Sequence, residues 1–387
     1  MSKFLDDKKR TTPFDRNRLS AFVSRVIGKS FLAQRREIFH LQRSIGLLSA
    51  EEYYYYRLYD SSRFAMPDAL KFIGLEAQMR ILSQCSMPYW YDIAHDKVLF
   101  QIFMQACRFP IPRIVATFHR GRQMPGAIIL RTEAEIRTFL RGYREYPLFG
   151  KPFDGMFSLG SARFEGYDPT TDELTFSSGV SAGVVEVAQE LATFSERGYL
   201  FQEVKHPDVR MLRVCGDRIA CLRVVTLLNK QTPEIFRALW KIPAGRHIAD
   251  NFWRQGNMLA AIDIPTGRVT RVVAGFGPNH REVERHPDSG EPLIGFIIPR
   301  WQEVQELCLS ATSLVAGLGM QGWDIAVCPE GPVIIEVNVG GDFNLPQLAT
   351  GTGLLDERFS TFLREGGYDP GRKSRRTLAA LKAFFRA

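Results

Sequence analysis

Apolar residues recur every three or four positions through residues 17–48 (Phe22, Val26, Phe31, Ile38, Leu41, Ile45), with no proline between them, which predicts a helix. Ser49-Ala-Glu-Glu52 then carries the pattern of a capping box that opens a second helix. Tyr53, Tyr54, Tyr55 and Tyr56 fall on every face of that helix, so some are expected in the core and some in water. A third helical stretch covers about 67–85. No strand pattern is visible in this first quarter, and residues 1–94 read as a helical N-terminal domain.

The period changes after His95. A helix over about 96–108 is broken by the two prolines of FPIPR. Runs of β-branched and apolar residues then predict strands at 113–118, 127–130, 147–151, 199–204, 209–215, 218–228, 257–264, 268–273, 321–328 and 332–338. Helices are expected at 132–143, 181–195, 233–239, 300–317 and 355–365. Hairpins dominate the second half, so the fold class is α+β with antiparallel sheets, not a doubly wound parallel sheet.

Composition narrows this only slightly. The 387 residues are 45% hydrophobic and 24% charged, an ordinary globular balance. No apolar run reaches the roughly 18 to 20 residues of a membrane span, and MSKFLDDKKR has no secretory apolar core, so a cytoplasmic location is expected. Six cysteines lie without metal-finger spacing and read as free thiols. The net charge of +8 is terminal: residues 1–45 hold eleven Lys/Arg against four Asp/Glu, and 371–387 hold six Lys/Arg with no acid. The body is therefore acidic, which argues against nucleic acid as the partner.

Chemistry concentrates in GWDIAVCPEGPVIIEVN, residues 322–338. Folding a hairpin about Pro329-Glu330-Gly331, read as a three-residue turn, sets Asp324 opposite Glu336 and puts Asn338 on the same face as Glu336. Opposed Cβ atoms lie about 4.5–5.5 Å apart, so two carboxylates there repel unless a cation separates them. An all-oxygen site suits Mg²⁺, whose remaining ligands come from water and phosphate. A solvent-facing strand explains the same three residues equally well.

Other segments offer groups for a phosphate. FGKPFDGMFSLGS sets Lys151 at a strand end before a loop with Gly155 and Gly160, whose amides can wrap an anion. DVRMLRVCGDRIACLRVV is expected to form a hairpin, with Asp208 and Arg210 near one end and Arg223 in the return strand. An arginine in an apolar strand is costly unless paired, which points to an anion. In LFQEVKHP an apolar strand runs out through Gln202, Glu203 and Val204, where backbone groups can read an adenine edge. No Ser-His-Asp or Cys-His signature is present. His206, Trp301 and Trp323 read as surface or packing residues, and His286 equally as a neighbour of the acceptor site or as a loop histidine without a role.

The order of these pieces resembles the ATP-grasp superfamily of carboxylate–amine ligases over about residues 50–360, and most closely its sugar-transfer-associated, alpha-L-glutamate ligase-related branch. HDKVLFQIFMQACRFPIPR is similar to the family's opening helix, and DNFWRQGN to its Asn-then-glycine segment (Asn251, Gly256). The resemblance implies that ATP is held by Lys97, Lys151, Gln202, Glu203, Val204, Asp208, Arg223 and Asn251. It implies catalytic roles for Arg223, Lys151 and Arg210, the last at the family's DxR position. Asp324, Glu336 and Asn338 become the ligands of two Mg²⁺ ions, with Glu336 bridging them. The implied fold is two α+β subdomains, 95–200 and 201–368, gripping ATP between antiparallel sheets, with the helical domain before them and a basic tail, 369–387, after them. The implied activity joins a small-molecule carboxylate to an amine, sugar-linked or amino-acid-derived, through an acyl phosphate. A nucleotide-binding protein without ligase activity, and a kinase-like enzyme of sugar modification, are the alternatives. Two features depart from the family: helices stand where its members usually begin with an α/β domain, and Asn257 stands where a second glycine is common.

Overall fold

The computed structural model describes residue 5 and residues 15–155, 158–230, 232–245 and 250–371. Within them, two seven-stranded sheets face each other. The first holds β1 (Ile114–Phe118), β2 (Ile128–Leu130), β3 (Leu148–Pro152), β4 (Ala162–Asp168), β5 (Glu173–Phe176), β6 (Ser181–Gly183) and β7 (Tyr199–Glu203). Their order is β2-β1-β7-β3-β4-β5-β6, antiparallel except for the β1–β2 pair. Phe164, Phe176 and Phe201 fill the core between this sheet and the helices Glu133–Gly142 and Val184–Ala192.

The second sheet holds β8 (Leu222–Asn229), β9 (Thr232–Ile242), β10 (Met258–Ile262), β11 (Val269–Ala274), β12 (Arg281–Glu282), β13 (Met320–Cys328) and β14 (Gly331–Val339). It is antiparallel throughout, in the order β12-β11-β10-β9-β8-β13-β14. The helix Trp301–Leu314 covers one face, burying Val304, Cys308 and Ala311.

The N-terminal helices do not stand apart from the second sheet. Tyr53, Tyr59 and Phe72 share a core with Leu259, Val273 and Leu348. Three of the four consecutive tyrosines are buried, and Tyr55 packs on Trp253 and Phe276 with ring centroids 5.7 and 4.9 Å away. The capping box at Ser49 and Glu52 is present.

Several elements differ from the sequence reading. The helix expected over 17–48 is two helices, Arg16–Val26 and Phe31–Arg43, parted at Gly28 (φ 75°) and restarted by the Ser30 hydroxyl accepting from Ala33 N–H. Apolar spacing continues across the break, so periodicity alone runs the two together. The stretch 67–85 likewise divides into Met66–Ala69 and Leu75–Cys85. At the second start a Cβ on Gly74 would sit 2.5 Å from Glu52 Oε2 and 2.9 Å from Leu48 Cα, so glycine permits the close approach.

Residues 209–215, expected as a strand, form a helix (Val209–Cys215) capped by Asp208, so no hairpin joins Arg210 to Arg223. Its buried positions, Met211, Val214 and Cys215, have helical spacing. Residues 233–239, expected as a helix, lie in β9, paired along their length with β8 and at Leu239 also with β10; ladder pairing overrides the helix preference of Glu234, Ala238 and Leu239. The β4–β5 hairpin has no counterpart in the sequence reading. Most of the basic tail, from 372 on, lies outside the described residues.

Candidate functional site

The β13–β14 hairpin sets Asp324 opposite Glu336 by an unexpected route. Cys328 pairs with Gly331, so the turn is the two residues Pro329 and Glu330, which offsets the register by one. A β-bulge at Ile335 restores it, because Ile325 pairs with Ile334 and Asp324 with Glu336. The bulge also brings Ile335 and Glu336 to line the same cavity.

That cavity, about 550 Å³, lies between the two sheets. Of the residues singled out in the sequence, Lys97, Lys151, Gln202, Glu203, Val204, Arg223, Asn251, Asp324, Glu336 and Asn338 line it. Asp208 and Arg210 do not: Asp208 caps its helix, and Arg210 is exposed with Nε 3.6 Å from Asp208.

Arg223 on β8 lies directly across from Asp324 on β13. Its Nε donates to Asp324 Oδ1 at 2.5 Å and its Nη2 to Oδ2 at 3.1 Å, while Nη1 donates to Gly341 O at 2.9 Å. Lys241 on β9 adds a bond to Asp324 Oδ2 at 3.0 Å and an ion pair with Asp250 at 3.2 Å. Burial disfavours the Asp324 carboxylate, but Arg223 and Lys241 outweigh it and hold the group well below the usual carboxylate range. Both cations are raised in turn, because their buried acids outweigh the desolvation that opposes their charge.

Lys151 and Glu336 contrast with this network. Among the described residues neither side chain has a hydrogen bond or an ion pair, although both face the cavity. Burial pushes the Lys151 ammonium down to about 8, with Glu336 opposing the shift and Lys97 adding to it. Lys97 itself donates to Gly155 O at 2.5 Å, tying the helix Lys97–Ala106 to the loop after β3. At the other end, Lys205 bridges Glu203 (3.0 Å) and Glu330 (2.9 Å), so the segment after β7 is fastened to the hairpin turn.

Asn257, the residue in the place of a glycine, is buried and staples its loop: Oδ1 accepts from Ala244 N–H at 3.0 Å, and Nδ2 donates to Asn251 O at 2.8 Å. His286 is also a fastener, with Nε2 2.9 Å from Pro243 O. The buried Trp323 donates to Thr312.

A metal has a limited set of donors here. Among the described residues no three His, Cys, Asp or Glu side chains gather as they would around an ion held by protein alone. Both oxygens of Asp324 are occupied by cations, which leaves the Glu336 carboxylate and the Asn338 amide, whose Nδ2 donates to Gly322 O at 3.3 Å. That set fits Mg²⁺ brought in with phosphate and water, which needs only one or two protein ligands.

Sequence reading missed Lys241, Asp250, Gln78 and Asp342, all of which line the cavity. Lys241 carried a usable signal, a lone lysine in the apolar run ALWKIP, but the helix expected there ended short of it. Gln78 and Asp342 come from a helix and a loop whose meeting depends on tertiary packing.

A model of the family described as "sugar-transfer associated ATP-grasp" matches residues 78–361. Among solved structures, the chain is similar to D-alanine–D-alanine ligase from Bacillus anthracis, at 14% identity and TM-score 0.41 over 75% of this chain and 76% of that one. It is similar to VanG D-Ala:D-Ser ligase from Enterococcus faecalis, at 15% and 0.37 over 70% and 62%. It is also similar to N5-carboxyaminoimidazole ribonucleotide synthetase from Thermotoga maritima, at 13% and 0.34 over 70% and 49%. A comparison with curated protein sequences finds no match.

Proposed function

Because the chain belongs to the sugar-transfer-associated ATP-grasp family and carries that fold behind N-terminal helices, we propose that it is an ATP-dependent ligase joining a carboxylate to an amine. The observation that carries this reading is the pair Lys151 and Glu336, two ionisable side chains without partners on opposite sheets of one cavity. Both side chains are half-buried, and an ammonium and a carboxylate left unpaired across one cavity are groups that a polyanion with its counterion would satisfy.

ATP would supply the γ-phosphoryl group that turns the substrate carboxylate into an acyl phosphate, and Mg²⁺ on Glu336 and Asn338 would neutralise phosphate oxygens. The chain's own part is positioning and charge. Lys151 and Lys97 approach the phosphates from the first sheet and its flanking helix. Arg223 approaches from the second, its guanidinium fixed by Asp324 and Gly341 with two of its five N–H groups still available. Such preorganised donors need no reorientation as charge develops on the transferring group. Gln202, Glu203 and Val204 line the cavity together with Ile335, and the base would lie among them. Lys241 and Asp250 hold the Arg223–Asp324 pair from behind.

The test is a screen of carboxylate and amine pairs for ADP and phosphate release, with mass detection of the product. Turnover that needs both substrates and yields their amide supports the ligase. ADP formation that no carboxylate stimulates overturns it in favour of a kinase-like enzyme or a nucleotide-binding protein.

A further inference from the structure

Past the Arg223 end, the cavity continues to a wall built by the N-terminal helices. Gln78, in the first turn of Leu75–Cys85, lines it and is 1% exposed. Its Oε1 accepts from Phe343 N–H at 3.1 Å. That backbone donor fixes which end of the amide is oxygen. The other end, Nε2, is buried and has no hydrogen-bond partner. A buried N–H₂ left unpaired is destabilising, so the position is explained by a ligand that supplies an acceptor.

Asp342 faces the same space, one residue past Gly341, the carbonyl that anchors Arg223. Its backbone sits at φ 57°, and its Oδ1 accepts from both Asn344 N–H (3.2 Å) and Asn344 Nδ2 (2.7 Å). Asn344 is in turn held by the Tyr56 hydroxyl. The carboxylate is thus fixed from one side, and its Oδ2 makes no hydrogen bond or ion pair among the described residues.

We propose that the space between Gln78 and Asp342 is the amine subsite, and that it takes a compound with an amine next to an oxygen acceptor. Gln78 Nε2 donates to the oxygen, and Asp342 Oδ2 accepts from the ammonium, which lies beside Arg223 and the transferring phosphoryl group. Amino acids and amino sugars share this chemistry. The proposal rests on the ligase reading and gives the helical region a role in recognising substrate.

The experiment uses the full chain with the non-hydrolysable ATP analogue AMPPNP and magnesium, followed by isothermal titration and saturation-transfer NMR. The probes are glycine against acetate and glucosamine against glucose, so that each amine is compared with its amine-free counterpart. One of the two amines is expected to bind at least about tenfold tighter than its counterpart. Gln78→Glu keeps the acceptor for Phe343 N–H and removes the donor, and Asp342→Asn removes the charge. Each should weaken that amine about tenfold or more, with AMPPNP affinity kept within about threefold. Asp342→Asn also decides the matter if a buried carboxylate at 78 impairs folding. Binding of neither amine, or binding that survives both substitutions, overturns the subsite. Failure of wild-type protein to bind AMPPNP overturns the ligase reading itself, and the subsite with it.

Discussion

Arg223 and Asp324 occupy directly opposed positions on β8 and β13, joined by two hydrogen bonds of 2.5 and 3.1 Å. With Lys241 on its second oxygen, the Asp324 carboxylate contacts two buried cations, the second of which it shares with Asp250. Asp324→Asn should therefore cost about 3–5 kcal/mol of folding stability, the range for breaking a buried pair. Glu336, which has no such partner, should cost well under about 1 kcal/mol when changed to Gln. Urea unfolding of the two variants tests the contrast; equal losses would show that Asp324 is not the keystone of the network.

Glu336→Gln should instead abolish the magnesium dependence of nucleotide binding. AMPPNP titrations with and without Mg²⁺ check this, and a variant that still responds to the ion like wild type removes Glu336 and Asn338 as its ligands.

The depressed Lys151 ammonium, at about 8, sets a pH dependence. Only the protonated form attracts phosphate, so AMPPNP affinity should fall as pH rises above about 8, by up to roughly tenfold per unit. Stability of the nucleotide-free protein should move the other way. Between about 8 and the lysine's ordinary value of 10.5 the unfolded chain binds the extra proton, so Lys151 disfavours folding below this window and the penalty is relieved as pH rises through it. Lys151→Met should flatten both profiles between pH 7 and 10; profiles unchanged in that variant would assign the titration elsewhere.

What was legible in the sequence follows from how locally each feature is determined. The β13–β14 hairpin and the capping box at Ser49 are set by residues close to one another in the chain, and the strand carrying Lys151 shows in its own run of residues. The sequence predicts the opposition of Asp324 and Glu336 through a three-residue turn, whereas the extra residue lies in a bulge at Ile335. Val209–Cys215 and Thr232–Ile242 were interchanged in type because short apolar runs fit both periods until their neighbours are known. The unpaired state of Lys151 and Gln78 is a property of packing, which one-dimensional spacing does not contain.

The helices before His95 share a core with the second sheet, so they should not be separable from it. Removing residues 1–64 would uncover Leu259, Ala261 and Val273, now at most 5% exposed. Expression of residues 65–387 should give aggregated or dye-binding protein with a non-cooperative melt. A soluble, cooperatively melting truncation would show that the second sheet closes without them.

Ile335 is the bulged residue and lines the same cavity as Val204, and the Lys205–Glu330 ion pair ties the strand exiting after β7 to the hairpin turn. In the proposed ATP site its side chain would cover one face of the base, with the phosphates toward Lys151. Ile335→Ala should weaken AMPPNP binding by about 1 kcal/mol, or roughly fivefold, from lost apolar contact. Tripolyphosphate has no base and should bind wild type and variant alike. A loss of equal size for both ligands would mean that the substitution disturbs Glu336 beside it, and that the base does not lie against Ile335.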